Sequence, residues 1–222
     1  MRAMGITIDF APVVDVTDAA DNSVIGDRSF GSDPTVVTDF AGAYAQGLRD
    51  AGILPVLKHF PGHGQASGDS HAEGVVTPPL DQLLDQDLVP YRTLTSAAPV
   101  GVMVGHMQVP GLTGSEPASL SPAAYALLRS GDYGGPPFAG PVFTDDLSSM
   151  RAISDRFGVP DAVLRGLQAG ADVALWVTTA EVPAVLDRLE AAVAAGELTL
   201  PNVDASVQRV VAMKGPSPRC GG

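Results

Sequence analysis

Residues 52–64 read Gly-Ile-Leu-Pro-Val-Leu-Lys-His-Phe-Pro-Gly-His-Gly, and residues 69–71 read Asp-Ser-His. The segment 53–57 is apolar and has the length of a buried strand, whereas the residues after it are polar and rich in glycine. Three of the four histidines in the chain and one of its two lysines fall between Lys58 and His71. This pattern predicts a buried strand that ends at Lys58 and delivers polar side chains to a functional site.

The composition describes a folded, acidic chain. It has 222 residues, of which 45% are hydrophobic and 17% charged, and its net charge is −12. This size fits one substantial α/β domain, predicted at 1–214, followed by a disordered tail at 215–222. The acidic balance argues against a nucleic-acid backbone or an anionic membrane surface as a partner. No apolar run approaches the ~20 residues needed to span a bilayer.

Four more apolar segments are predicted strands, at 6–16, 100–106, 141–144 and 171–177. Helices are predicted between and after the strands from capping residues and helical spacing. They run from an Asp33 N-cap to Gly52, from near Asp81 with a kink at Pro90, from Ser121-Pro122, through Leu147 and Ile153 behind an Asp146 N-cap, and over 161–169, 181–195 and 203–213.

The alternation of strands and helices predicts a parallel sheet covered on both faces. Each of the first four strands ends on polar residues, as in a (β/α)8 TIM barrel with its site at the carboxyl ends of the strands. Five strand units are present where a closed barrel needs eight, so the chain is expected to hold about five C-terminal units. The alternative is a five-stranded doubly wound sheet, which would lack the usual glycine-rich phosphate turn after its first strand.

Two acidic positions suit acid–base or covalent chemistry. Asp69 lies two residues before His71 in a glycine-rich loop, and a neighbouring carboxylate can orient an imidazole that donates and later accepts a proton. Asp145 directly follows the predicted strand 141–144, which makes it a candidate nucleophile at the barrel mouth. The alternatives are structural, because aspartates also cap turns and helices at such positions.

Lys58 and His59, at the end of their strand, are candidate hydrogen-bond donors to a neutral ligand. Arg28 and Asp15 are expected to meet them from the neighbouring loop, and the alternative is a structural ion pair between adjacent strands. His106 is more typical of a core histidine whose hydrogen bonds are satisfied.

A metal site is a separate alternative. His59, His63, Asp69 and His71 offer nitrogen and oxygen ligands at plausible spacing. Lys58, directly beside the first of these ligands, would repel a cation and argues against it.

The stretch 58–71 resembles, without a gap, the signature of the β-N-acetylglucosaminidase branch of the family 3 glycoside hydrolases. Further segments resemble that family in the same order along the chain, from about residue 3 to about residue 214. These segments are 10–16, 27–31, 101–106, 117–121 and 143–150.

The resemblance implies a retaining double displacement in a (β/α)8-type barrel. By match to the family's motifs, Asp145 is the nucleophile, His71 is the acid/base and Asp69 orients His71. No metal and no cofactor are implied.

The expected substrate is a carbohydrate that contains N-acetylglucosamine, cleaved at a terminal, non-reducing β-linkage in cell-wall or glycan fragments. Arg28, Lys58 and His59 match positions that hold sugar hydroxyls in the family. Asp15 and Met103 complete the predicted substrate-binding set, although Met103, like Trp176, is also typical of barrel core or wall.

One family segment, of the type Asp-Gln-Glu-Gly-Gly, is absent from this sequence. Together with the strand count, its absence predicts an N-terminally truncated member that, as an isolated chain, has low stability or no activity. Three other functions stay open: a β-glucosidase, a phosphorylase with phosphate as acceptor, and an inactive sugar-binding remnant. The sequence does not decide between a cytoplasmic protein and an exported lipoprotein, and it does not fix the oligomeric state.

Overall fold

The computed structural model describes residues 1–20, 23–67 and 74–214. Its five strands are β1 (Ile8–Asp9), β2 (Leu54–Phe60), β3 (Gly101–Val104), β4 (Val142–Asp146) and β5 (Val173–Leu175). All neighbouring pairs are parallel, and the strand order in the sheet follows the order in the chain. A doubly wound sheet reverses its order at a switch point, so this singly wound sheet excludes that alternative and forms a half-barrel.

Eight α-helices lie in the part of the chain that the structure describes. They are α1 (Pro34–Asp50), α2 (Leu80–Asp85), α3 (Val89–Leu94), α4 (Pro122–Ser130), α5 (Arg151–Ser154), α6 (Val159–Ala169), α7 (Val182–Ala194) and α8 (Leu200–Lys214). Asp33 caps α1 as expected, because its Oδ1 accepts a hydrogen bond of 2.8 Å from the Thr35 amide. None of the helices described is both long and apolar enough to cross a membrane. The predicted tail 215–222 lies outside the described residues.

Three predicted boundaries are wrong. The first strand is confined to Ile8–Asp9. After it, Val13 forms an isolated bridge with Lys58, and the Ala11 carbonyl accepts a hydrogen bond from the Val56 amide of β2. The helix expected to kink at Pro90 is broken into α2 and α3, and Pro90 lies in the first turn of α3, where its missing N–H costs no hydrogen bond.

Asp146 does not cap a helix. Its carboxylate instead accepts hydrogen bonds from the amides and hydroxyls of Ser148 and Ser149 in the turn after β4. The next helix, α5, begins only at Arg151 and has Met150 as its N-cap. The error arose because an aspartate after a strand caps a turn by the same chemistry that caps a helix.

Side chains alternate between the two faces of the sheet, as the pleat requires. Val56, Met103 and Phe143 form a cluster on the inner, concave face, and Met213 of α8 packs against it. Leu57 belongs to the outer cluster beneath α1, α3 and α4. By the same alternation, Asp145 follows Phe143 on the inner face. The register of β2 shifts between Leu57 and Phe60, and the attraction between Lys58 and Asp145 shows that Lys58 lies near that carboxylate.

Asp172, just before β5, links several elements at the end of the half-barrel where β5 begins. Its buried side chain accepts hydrogen bonds from Arg129 Nη2 of α4 at 2.7 Å and from Arg209 Nε of α8 at 2.8 Å. It also accepts one from the Val142 amide at 2.9 Å. One carboxylate therefore links two helices to β4.

Replacing Asp172 with Ala is expected to lower the free energy of unfolding by about 3 kcal/mol, because two arginines and an amide lose their shared partner. Urea denaturation followed by circular dichroism measures the change. Asp161→Ala is the matched control, since Asp161 pairs with Arg188 at the surface and such pairs contribute only ~0–1 kcal/mol. Equal losses in the two variants would contradict a structural role for Asp172.

Candidate active site

The candidate site lies at the carboxyl ends of β2 and β4. Parallel pairing sets Phe60 of β2 opposite Val104 of β3, and Val104 opposite Thr144 of β4. This register brings the polar residues next to Phe60 and Thr144 to one edge of the sheet. His59 Nε2 accordingly lies 3.8 Å from Asp145 Oδ2.

Asp145 has the properties of an ionised carboxylate at a partly open mouth. Its side chain is 18% exposed, and its Oδ1 accepts a hydrogen bond of 2.9 Å from the Asp146 amide. Burial alone would raise the pKa of Asp145, but the positive charge that His59 can carry and the amide hydrogen bond outweigh it and lower the pKa. The second oxygen, Oδ2, faces His59 and the mouth.

Lys58 is a cation near this carboxylate, and Arg28 acts on Lys58. Lys58 is partly buried, and burial lowers its pKa against the opposing attraction of Asp145, while the positive charge of Arg28 adds to the lowering. Arg28 is exposed and donates to the Val24 carbonyl at 2.6 Å and the Ile25 carbonyl at 3.3 Å. The side chains of Lys58 and Arg28 therefore lie within electrostatic reach of each other.

Asp15 is deeply buried behind His59. Its side chain has no exposed surface, and its Oδ2 lies 2.7 Å from His59 Nδ1. Its Oδ1 accepts hydrogen bonds from the amides of His59 at 3.2 Å and His63 at 2.8 Å. Burial opposes its ionisation, but His59 and the hydrogen bonds lower its pKa below the usual value. Asp15, predicted to bind substrate, thus reaches the mouth only through His59.

Two other histidines support this arrangement. The ring of His63 is buried, which lowers its pKa, and its centroid lies 5.9 Å from that of His59. His106 is a core residue with both ring nitrogens engaged, by Ser119 Oγ at 2.7 Å and the Asp146 carbonyl at 2.8 Å. Because a carbonyl only accepts, Nε2 of His106 is the nitrogen that donates, and it fixes the backbone next to Asp145.

Of the remaining predicted site residues, the structure describes Met103. Met103 is 2% exposed and packs in the inner cluster with Val56 and Phe143, in line with a wall residue. Asp69 and His71 lie outside the described residues. Within the described ranges, no three histidine, cysteine or acidic side chains are grouped so that they could hold a metal ion.

The sequence analysis missed one acidic residue near the site, Asp87, which packs against the loop that follows β2. A Cβ atom on Gly62, whose φ is +133°, would lie 2.3 Å from Asp87 Cβ, and one on Gly64 would lie 2.0 Å from the Val16 carbonyl oxygen. Both glycines are therefore required for the loop to pack this closely. Burial, followed by the charge of Asp15, raises the pKa of Asp87 to about 7. The signal in the sequence was an aspartate within an otherwise apolar helical pattern.

Comparison with known proteins gives a consistent result. The family model described as "Glycosyl hydrolase family 3 N terminal domain" matches residues 1–213. "Beta-hexosaminidase LpqI" of Mycobacterium tuberculosis is 77% identical over 222 residues, which are 100% of this chain and 57% of that protein. "Beta-hexosaminidase" of Stenotrophomonas maltophilia is 41% identical over 176 residues, 79% of this chain and 50% of that protein.

Solved structures agree in fold. That of M. tuberculosis LpqI has a TM-score of 0.97 at 76% identity and covers 99% of this chain and 64% of that one. The β-N-acetylglucosaminidase of Paenibacillus sp. has a TM-score of 0.88 at 33% identity, with 100% of this chain and 43% of that one covered. The predicted partial (β/α)8-type barrel is confirmed, and the chain spans about half the length of the curated relatives it matches.

Proposed function

The chain belongs to glycosyl hydrolase family 3, and from this premise we propose that it carries a β-N-acetylglucosaminidase active site. The site would release terminal, non-reducing β-linked N-acetylglucosamine from cell-wall or other glycan fragments. The observation that carries the proposal is Asp145, a carboxylate with a lowered pKa whose Oδ2 lies at the mouth 3.8 Å from His59 Nε2. The acetamido preference rests on the names of the relatives.

In the first step, Asp145 Oδ2 attacks the anomeric carbon of the sugar. The bond from that carbon to the glycosidic oxygen breaks, and protonated His71, oriented by Asp69, donates its proton to the leaving oxygen. The product is a glycosyl ester on Asp145. An ionised carboxylate is required for this attack, which is why the lowered pKa of Asp145 supports the assignment.

In the second step, water attacks the same carbon. Neutral His71 accepts a proton from the water, the ester bond breaks and the carboxylate of Asp145 is regenerated. Two displacements at one carbon retain the β-configuration. An imidazole suits the acid/base role because its neutral form adds no second negative charge beside Asp145.

Sugar hydroxyls would be held by the polar side chains around Asp145. Lys58 and Arg28 offer N–H donors, and His59 offers Nε2, which is the ring nitrogen that Asp15 leaves available. Desolvation of the partly buried Lys58 strengthens its hydrogen bonds to a bound sugar.

The test uses two proteins: this chain alone, and a chimera in which this chain replaces the matching segment of the M. tuberculosis relative. The chimera is expected to hydrolyse an aryl β-N-acetylglucosaminide and to release the β-anomer first, as followed by proton NMR during the reaction. Initial release of the α-anomer would contradict the double displacement. A chimera that binds the sugar by calorimetry but does not hydrolyse it would instead indicate a sugar-binding remnant.

A second candidate function is phosphorolysis. The solved structure of "Beta-glucoside phosphorylase BglX" is similar to this chain, with a TM-score of 0.85 at 25% identity. Phosphate can attack the same glycosyl ester in place of water. Adding inorganic phosphate to the chimera would yield a sugar 1-phosphate in that case and only free sugar in the case of hydrolysis. An aryl β-glucoside assayed in parallel distinguishes a β-glucosidase, and a chelator assay tests the metal alternative.

A further inference from the structure

The buried Asp15 uses each of its carboxylate oxygens for a different task. We propose that Asp15 is a positioning residue, which makes His59 carry its proton on Nδ1 in the neutral form and so presents Nε2 to Asp145 and the substrate. The kinetic part of this inference rests on the proposed function, whereas the proton position can be tested without it.

The first step of the argument is the identity of the donor. The distance of 2.7 Å between Asp15 Oδ2 and His59 Nδ1 is that of a charge-assisted hydrogen bond. An ionised carboxylate only accepts, so Nδ1 must hold the proton. The side chains of His59 and Asp15 are 9% and 0% exposed, so this hydrogen bond is largely shielded from solvent.

The second step concerns the other oxygen. Oδ1 accepts from the amides of both His59 and His63, and these donors hold the oxygen that does not contact the imidazole. Asp15 therefore sets the direction of the ring and holds the first turn of the loop after β2 at the same time.

The third step explains why the proton position matters. Nε2 lies 3.8 Å from Asp145 Oδ2, too far for a hydrogen bond but near enough for a small shift to form one. In neutral His59, a proton on Nε2 would be drawn to Asp145 and would occupy the oxygen assigned to the attack. A proton on Nδ1 leaves neutral Nε2 as an acceptor for a sugar hydroxyl.

Asp15→Asn separates these tasks. The two backbone amides need an acceptor, so the amide oxygen of the new side chain must occupy the position of Oδ1, and its NH2 group must then face His59 Nδ1. Nδ1 becomes an acceptor, and the proton of neutral His59 moves to Nε2. The substitution thus reverses the tautomer and keeps the size and the backbone hydrogen bonds.

The primary measurement is nitrogen-15 NMR of the histidine rings in the isolated chain, at an alkaline pH that favours neutral imidazoles. The expected result is a protonated Nδ1 in the wild type and a protonated Nε2 in Asp15→Asn. Asp33→Asn, which keeps a good N-cap on α1, is the control and should match the wild type. A wild-type His59 protonated on Nε2 overturns the inference, even if Asp15→Asn does not fold.

The second measurement is the turnover of an aryl β-N-acetylglucosaminide by the chimera. Asp15→Asn is expected to lower kcat/KM by about 10²-fold, the scale of a misplaced active-site group, and to change its pH profile. A reversed tautomer with unchanged kcat/KM and pH profile would overturn the kinetic part. An inactive parent chimera would instead count against the proposed function, and the NMR result would still decide the position of the proton.

Discussion

Asp145→Asn in the chimera is expected to reduce kcat for an aryl β-N-acetylglucosaminide by at least about 10⁴-fold, the scale of removing a catalytic group that acts directly on the substrate. The amide has nearly the shape of the carboxylate but lacks the negative charge, so no glycosyl ester forms at a useful rate. The hydrogen bond from the Asp146 amide can persist on the amide oxygen, which keeps the local fold. KM should change far less than kcat, because Lys58, Arg28 and His59 remain.

The matched control for this substitution is Asp155→Asn. Asp155 lies in an exposed pair with Arg151 at 3.1 Å, so its replacement should leave turnover unchanged. If Asp145→Asn retained more than about a tenth of wild-type turnover, the mechanism would be refuted. Removal of a nucleophile should leave far less activity than that.

A shorter side chain at the same position gives a product-based test of the same role. In Asp145→Gly, azide can enter the vacated space and attack the anomeric carbon directly while the aryloxide leaves. One displacement inverts the configuration, so the expected product is the α-glycosyl azide. Formation of the β-azide would mean that another group, either a second residue or the acetamido oxygen of the substrate, had formed the intermediate.

The strands and the largest helix were predictable because their signals are local. An apolar run of strand length identified each of the five strands, and Asp33 before Pro34 fixed the start of α1. The boundaries at Pro90 and Asp146 were predicted wrongly, since a proline or an aspartate is compatible with more than one local structure. At Pro90, packing around α3 determines which local structure forms. At Asp146, the turn after β4 determines it.

Most residues of the candidate site were predictable from the sequence, but the contacts between them were less so. Lys58, His59 and Asp145 stand at strand ends, and parallel pairing is enough to bring them to one edge. The burial of Asp15 depends on how the segment after β1 folds beneath the loop after β2, which no local pattern specifies. Asp87 was missed for the same reason, because its contact with Gly62 exists only in the folded chain.

These contacts limit the electrostatic repulsion between the carboxylates of the site. Asp15 and Asp145 both lie near His59, and two carboxylates so close would repel each other without it. His59 lies between them, with Nδ1 2.7 Å from Asp15 Oδ2 and Nε2 3.8 Å from Asp145 Oδ2. Asp87, a third carboxyl nearby, has a raised pKa of about 7, so it adds little negative charge below neutral pH.

The second large effect is expected from His71→Ala, although His71 lies outside the described residues. Without an acid, departure of a sugar or alkoxide becomes slow, whereas a nitrophenolate leaves without protonation. The loss in kcat/KM should therefore increase with the basicity of the leaving group and reach about 10²- to 10⁴-fold for the poorest ones. With a nitrophenyl substrate, kcat should still fall markedly, because water then attacks the glycosyl ester without a base.

Azide separates this role from that of Asp145. As a nucleophile that needs no base, azide should raise kcat of His71→Ala with the nitrophenyl substrate and yield the β-glycosyl azide, because Asp145 still performs the first displacement. Asp145→Gly and His71→Ala would thus give azides of opposite configuration from one substrate. A loss that is uniform across leaving groups and insensitive to azide would show that His71 shapes the loop and does not transfer the proton.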